Sequence, residues 1–482
     1  MPAGQVNITV EDGSLGLIAQ SNASRALIGT SSTGTLSSVY AFNDTKSART
    51  ALGAGPLLEE VIQELEVAGG PVYAVRANGS TAGTALGAWV LTGTGPAAGV
   101  GESGAPLADF DVVVKVVSGG ALGTATVQIS VDGGDTFTPT YTAAATLAQL
   151  AASTGLTFTM AVGTYVAGDT YTRSFAGPRY TAADLNAGLD AIRNYIADIR
   201  WVHVIGTAGA SADPAATQLT TFVALCAAVD VKMVAAFNAK KPMFAIMEVP
   251  DVPDADITAH AAFNAQTSTR QMWVAGTVER IVNPGGHSQK RHAAGVVSTK
   301  LATVGVGQSP GVPADGTLVG VTRLYRDETL AAVSLDDLRV TTLRTLPLYP
   351  GYFVTTGQMR AAIGSDFRYV VSRRVMDEAI SQTVKVMTPK LNKSVRVNPT
   401  GHAQAGGIDD RDAQPIDAQL STAMSIALIN TGQASGAFAQ VTRGTNILST
   451  GTIETSVRIT PLGYARAIEA SIGFFNPALV SG

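Results

Sequence analysis

One cysteine, Cys226, stands in 482 residues, so the chain has neither a disulfide framework nor a thiolate cluster for a metal. A sequence so poor in thiols reads as one assembled in a reducing cytoplasm. Charge is scarce too: Asp, Glu, Lys and Arg make up 15 % of residues, and the net charge of -4 comes without any long basic run. That scarcity leaves no electrostatic footprint for nucleic acid or for an anionic membrane surface. No run of about 18 uninterrupted apolar residues exists, and the opening MPAGQVNITVEDG lacks a basic region followed by an apolar one. Neither membrane insertion nor a secretory signal is expected. There is no Gly-Lys dipeptide, which excludes a Walker-type phosphate loop, and no repeat on the scale of about 20 to 50 residues that would mark a solenoid.

What the chain does have is a core. Its hydrophobic content of 46 % is that of an ordinary globular protein, and its length implies about three domains. In residues 52–77, LGAGPLLEEVIQELEVAGGPVYAVRA, glycines precede a helix and a β-branched strand, the outline of a nucleotide-binding turn. The third glycine of a dinucleotide fingerprint is missing, because Gly53-x-Gly55 is followed by Pro56, Leu57 and Leu58. The spacing instead predicts scaffolding: Pro56 opens a helix, Leu57, Leu58, Val61, Ile62 and Leu65 form its apolar stripe, and Gly69-Gly70 stop it.

Ahead of this unit, Val6, Ile8 and Val10 alternate with polar residues as a strand with one face to bury, and RALIGTSSTG offers a second short strand. Past the Gly-, Ala- and Thr-rich stretch that begins near residue 83, segments such as TATVQISVDGGDTF alternate between Gly and Asp turns. They predict an inserted all-β, sandwich-like domain. Asp132, Asp135 and Asp169 stand in no EF-hand spacing and read as turn residues. Helix and strand then alternate again, with a capping box at Thr181 and Asp184, the strand WVHVIG, a long helix opened by Asp213 and Pro214, and the strand MFAIMEV. The expected division is an N-terminal arm at 1–20, an α/β core at 21–95 and 179–375 interrupted by the β domain at 96–178, and an α+β domain at 376–482. Near the end, Ile453, Val457 and Ile459, then Ile468, Ala470, Ile472 and Phe474, alternate as two further strands.

Candidate chemistry fails on mechanism. Gly307-Gln308-Ser309-Pro310-Gly311 has the spacing of a nucleophile elbow, yet the oxyanion hole needs the N–H after the serine and Pro310 has none. His287 and His292 in GGHSQKRHAAG match no zinc signature and read as a solvated loop or helix start, and His203 reads as a packed strand residue. The acidic clusters PDVPDAD and IDDRDAQPID read as solvated loops. No catalytic, cofactor-binding or metal-binding residue is assigned.

The order of three regions resembles the tail sheath proteins of contractile phage tails and contractile injection systems. They are ALGAGPLLEEVIQELEVAGGPVYAVRA near the start, HAAGVVSTKLATVGVGQSPGVPADGTLVGVTRLYR, and FRYVVSRRVMDEAISQTVK with the closing SVRITPLGYARAIEASIGF. The resemblance implies a non-enzymatic virion protein forming stacked hexameric rings around a tail tube. It implies no cofactor, contacts with tube, baseplate and tail terminator proteins but not directly with nucleic acid, and assembly in the bacterial host cytoplasm. It also implies that strands at the chain ends, carrying Val6, Ile8 and Val10 and Ile468 to Phe474, are exchanged between subunits. The competing readings are an α/β enzyme with an inserted β-sandwich binding module, and a surface adhesin.

Overall fold

The computed structural model describes residues 24–206, 213–282 and 287–466, which divide into two compact units, Met1–Asn392 and Lys393–Gly482. The first is built on a six-stranded sheet in the order Gln271–Val274, Phe244–Glu248, Trp201–Val204, Arg25–Gly29, Val72–Arg76 and Val39–Phe42. All neighbours run parallel except the edge strand Val39–Phe42. A parallel sheet is covered on both faces, so its central strands are continuous apolar runs instead of alternating ones. Arg25–Gly29 shows how this works. Ala26 and Ile28 point into one core with helices Ala182–Asn194 and Ala215–Asn238, while Leu27 joins another with helices Thr45–Leu52 and Pro56–Val67. Helix Ala215–Asn238 is long and apolar enough to cross a membrane, but Leu219, Phe222, Cys226, Val229 and Met233 are buried on the sheet.

Local signals set the helix ends. Asp44 accepts a hydrogen bond from the Ser47 N–H at 2.8 Å and caps Thr45–Leu52; Pro56 takes the first turn of the next helix; and the Thr181–Asp184 capping box closes as expected. Both acidic clusters read as loops instead open helices, Asp254–Ala259 and Asp410–Met424. Carboxylates are favoured there by the helix dipole.

Between Val72–Arg76 and Ala182–Asn194 the chain forms two main antiparallel sheets. One runs Thr84–Thr92, Thr170–Ala176, Phe110–Ser118, Thr126–Ser130, Tyr141–Thr142; the other runs Thr146–Leu147, Leu156–Met160, Val100–Gly104. Val114, Val127, Ile129, Phe158 and Tyr171 share one core between them. Strand Thr84–Thr92 lies ahead of residue 96 yet pairs with Thr170–Ala176, and Trp89 packs edge-on against Phe158 and Phe175. Asp169 accepts the Gly95 N–H at 2.7 Å and Asp132 the Thr136 N–H at 3.0 Å, both as turn residues.

His287 and His292 do not stand in a solvated loop: His287–His292 is a strand paired antiparallel with Thr277–Val282, and helix Ala294–Thr303 starts two residues beyond it. Helix Val370–Met387 belongs wholly to the first unit and spans the boundary expected at 375. In the second unit, helix Asp410–Met424 buries Ile416, Leu420 and Met424 and packs on strand Gly436–Val441, which forms a two-stranded hairpin with Thr455–Thr460.

Candidate functional site

The glycine turn is filled by the chain itself. After the first strand, the Ser32 N–H donates to the Ala54 carbonyl at 2.8 Å, the Ser32 hydroxyl accepts the Ala54 N–H at 2.9 Å, and the Leu57 N–H donates to the Thr30 carbonyl at 3.1 Å. These bonds occupy the place where a phosphate would meet the helix N-terminus. Gly53 is required sterically, since a Cβ there would lie 2.4 Å from the Ser32 Oγ.

Helix Pro56–Val67 is buried on its acidic side as well as on its apolar one. Glu59, Glu60 and Glu64 are buried, each facing an arginine that is distant in sequence. Glu59 receives Arg291 Nε at 2.6 Å, Glu60 pairs with Arg280, and Glu64 receives Arg25 Nε at 2.7 Å and the Ser298 hydroxyl at 2.6 Å. Burial pushes the Glu60 carboxyl above the usual range, against the opposing pull of Arg280 and His203. Gly295, in the first turn of Ala294–Thr303, lets that helix end approach: a Cβ on it would lie 1.9 Å from Glu60 Oε2. The sequence reading missed all of these groups. The one signal was that His287–His292 is too polar for a strand facing a core unless its charges meet partners there.

In a doubly wound sheet the usual ligand position is the crevice beyond the strand ends where the strand order reverses. Here that point lies between Arg25–Gly29 and Trp201–Val204. It opens into a cleft of about 400 Å³ between the sheet and the β region, lined among others by Thr30, Phe110, Tyr180, Gly206, Glu248 and His292. Most of the polar groups there are engaged with protein, although Glu60 Oε2 has no hydrogen-bond partner. Glu248 accepts from His203 Nε2 at 3.0 Å and from the Gly206 N–H at 2.6 Å. The Tyr180 hydroxyl is held by the carbonyls of Ile205 and Gly206, Arg179 pairs with Asp109, and Lys290 with Asp251. His292 lies in its strand with Nε2 2.9 Å from the Val249 carbonyl oxygen, while Nδ1 accepts the Ala294 N–H. Burial depresses its pKa. Burial also opposes charge on His203, but the hydrogen bond and charge of Glu248, with Glu60 and Glu64 behind it, hold that imidazole above its ordinary value. Among the described residues no group of three or more His, Cys, Asp and Glu side chains could hold a metal ion. The arrangement fastens strand ends to the covering layers.

The candidate assembly strands fall out unevenly. Val6, Ile8 and Val10, and Ile468, Ala470, Ile472 and Phe474, lie outside the described residues. Val457 and Ile459 sit in Thr455–Thr460, paired with Gly436–Val441; Ile453 precedes that strand, because Gly451 ends a short helix in a left-handed turn and the extended pairing starts only at Thr455.

A doubly wound core carrying an all-β region, followed by a smaller α+β unit, matches the fold of sheath proteins of contractile systems. The PVC sheath of an extracellular contractile injection system, in its contracted state, superposes with a TM-score of 0.51 at 11 % identity, covering 98 % of this chain and 98 % of that one. The contracted helical sheath of the anti-feeding prophage gives 0.49 at 13 % identity, covering 99 % and 100 %. A sheath tail protein of Desulfitobacterium hafniense gives 0.48 at 12 % identity, covering 95 % and 100 %. By sequence the chain belongs to the DUF2586 family, whose N-terminal domain matches residues 3–358 and whose C-terminal domain matches residues 366–479. No curated protein matches the sequence.

Proposed function

We propose that this protein is a structural sheath subunit. Its copies stack as hexameric rings around a tail tube and shorten to drive the tube through a bacterial envelope, using free energy held in the extended lattice and no cofactor or catalytic residue. The observation that carries this reading is the end-to-end likeness to the PVC sheath, 98 % of both chains. The glycine turn closed by its own backbone supports it against the enzyme reading. In the cell, such a subunit assembles in the bacterial cytoplasm and meets tube, baseplate and tail terminator proteins.

Strand exchange is part of this proposal. A lone two-stranded hairpin is marginal in water, and Gly436–Val441 with Thr455–Thr460 is a sheet of two among the described residues. The alternating arms at residues 5–10 and 468–474 supply strands to such a sheet in neighbouring copies, where main-chain hydrogen bonds give affinity and alternate side chains give register. Negative-stain microscopy of the purified protein tests the whole reading: tubes or stacked rings support it, and monodisperse particles with hydrolase activity refute it. Removing residues 1–12, or substituting Ile8→Pro, is expected to leave a folded monomer with near-normal melting that forms no tubes. Normal tube formation by either variant refutes the exchanged arm alone.

A further inference from the structure

We propose that Asn78 is a site of covalent modification: its side-chain amide is lost through attack by the Gly79 nitrogen, and the acid that replaces it loosens the neck between the six-stranded sheet and the β region. The reaction needs nothing of the sheath reading, because it follows from one dipeptide and its surroundings. Asn78-Gly79 is the only Asn-Gly pair in the sequence. In such a pair the backbone nitrogen after the asparagine can reach the side-chain carbonyl carbon, since glycine brings no Cβ to block the approach and lets the chain turn.

The fold presents this pair to water. Both residues lie outside regular structure between strands Val72–Arg76 and Thr84–Thr92, and Asn78 is exposed. The Ser80 N–H donates to the Asn78 carbonyl at 3.0 Å, a three-residue turn centred on Gly79. The Gly79 N–H makes no hydrogen bond among the described residues, so the attacking nitrogen is not tied up. In the reaction, Gly79 N bonds to Asn78 Cγ, and the side-chain NH2 leaves with the Gly79 amide proton as ammonia. A five-membered succinimide remains. Water then opens the ring at one of its two carbonyls, giving either aspartate at position 78 or isoaspartate, whose main chain is longer by one methylene. Water is consumed and ammonia released, and nothing is oxidised or reduced.

Either product disturbs the neck. Asn78 Nδ2 donates to Asp184 Oδ1 at 3.2 Å, and the same carboxylate accepts the Ser80 hydroxyl at 2.6 Å and the Thr181 N–H at 2.7 Å, closing the capping box of helix Ala182–Asn194. A carboxylate in place of the amide removes the donor and faces Asp184 with like charge, so attraction becomes repulsion. Arg179 is already paired with Asp109. Isoaspartate acts through the main chain instead. Thr81 and Arg179 exchange both backbone hydrogen bonds, at 3.0 and 2.9 Å, and so join the passage that leaves the sheet to the one that returns. A methylene inserted ahead of Thr81 puts that pair out of register.

The test incubates the folded full-length protein at mildly alkaline pH and follows it by peptide mass mapping. Asn78 is expected to convert before any other asparagine, giving separate aspartate and isoaspartate peptides and an equal amount of ammonia, while Asn78→Gln, whose amide is one carbon further from the Gly79 nitrogen, converts far more slowly. If Asn78 persists while other asparagines convert, or while a short peptide spanning Arg76 to Thr81 converts fully, the site is overturned. A second arm compares Asn78→Asp with Asn78→Ser, which removes the amide without adding charge. Asn78→Asp is expected to melt below Asn78→Ser, with a gap that narrows as salt screens the repulsion from Asp184. Equal melting of the two variants at low salt overturns the effect on the neck.

Discussion

Two regions of the first unit reach burial by opposite means. The β region closes over alternating apolar residues, Val112, Val114 and Val116 from one strand and Val127 and Ile129 from the next. Helix Pro56–Val67 and the strands Thr277–Val282 and His287–His292 instead bring Glu59, Glu60, Arg280 and Arg291 out of water in pairs. The first arrangement is forgiving, because each methyl group contributes separately. The second is not: removing one partner of a buried pair leaves an uncompensated charge. A chain poor in charge thus holds some of it away from water, Glu59, Glu60, Arg280 and Arg291 among them.

The largest expected effect comes from breaking one pair. Glu60→Ala leaves Arg280 buried without its carboxylate and should cost about 3–5 kcal/mol in urea unfolding, whereas replacing both residues with apolar ones of similar volume should recover most of that loss. If Glu60→Ala costs under about 1 kcal/mol, the contrast between the two regions collapses. Next is Glu248→Gln, which weakens the His203 pair and should cost about 1–3 kcal/mol, with a signature in pH. His203 is raised by the fold, so its contribution is full below its ordinary pKa of 6.5 and fades as pH climbs through the raised value. Glu248 is lowered from 4.5: its burial is outweighed by the charge of His292, the hydrogen bond and charge of His203 and the Gly206 N–H. Its share is full above 4.5 and fades as pH falls through the lowered value. The melting difference between wild type and variant should therefore peak between those two ordinary values, and a difference flat in pH would refute the pairing.

In the β region a smaller change is expected. Ile129→Val should cost about 0.5–1.5 kcal/mol, and a heavier penalty would mean that this core is as intolerant as the ionic one. Smallest of all, Ser309→Ala should move stability by less than about 0.5 kcal/mol and leave assembly unchanged. Loss of function in a correctly assembled Ser309→Ala protein would revive the hydrolase reading.

The same contrast explains what could be read beforehand. Caps and alternation are local, so Thr181–Asp184, the helix after Pro56 and the strand around Ile129 were legible from a few neighbouring residues. The role of Glu60 was not. Leu57, Leu58, Val61, Ile62 and Leu65 define an apolar stripe that assigns the glutamates to water, and only the fold brings Arg280 to them. Strand Thr84–Thr92 escaped for another reason: its alanines, threonines and glycine carry little pattern, and its place is fixed by Trp89 against aromatics far along the chain. Of the candidate assembly strands, the one holding Val457 and Ile459 was legible as alternation, but its partner Gly436–Val441 was not.

The Ser32–Ala54 clasp has a further consequence. A scaffold of this type commonly keeps a vacancy at its first turn, so that a small molecule can be exchanged there and the protein reset after each cycle. Here the vacancy is sealed by the protein's own main chain. In the sheath proposed above, the first turn of each subunit would thus be a fixed joint, closed by its own main chain.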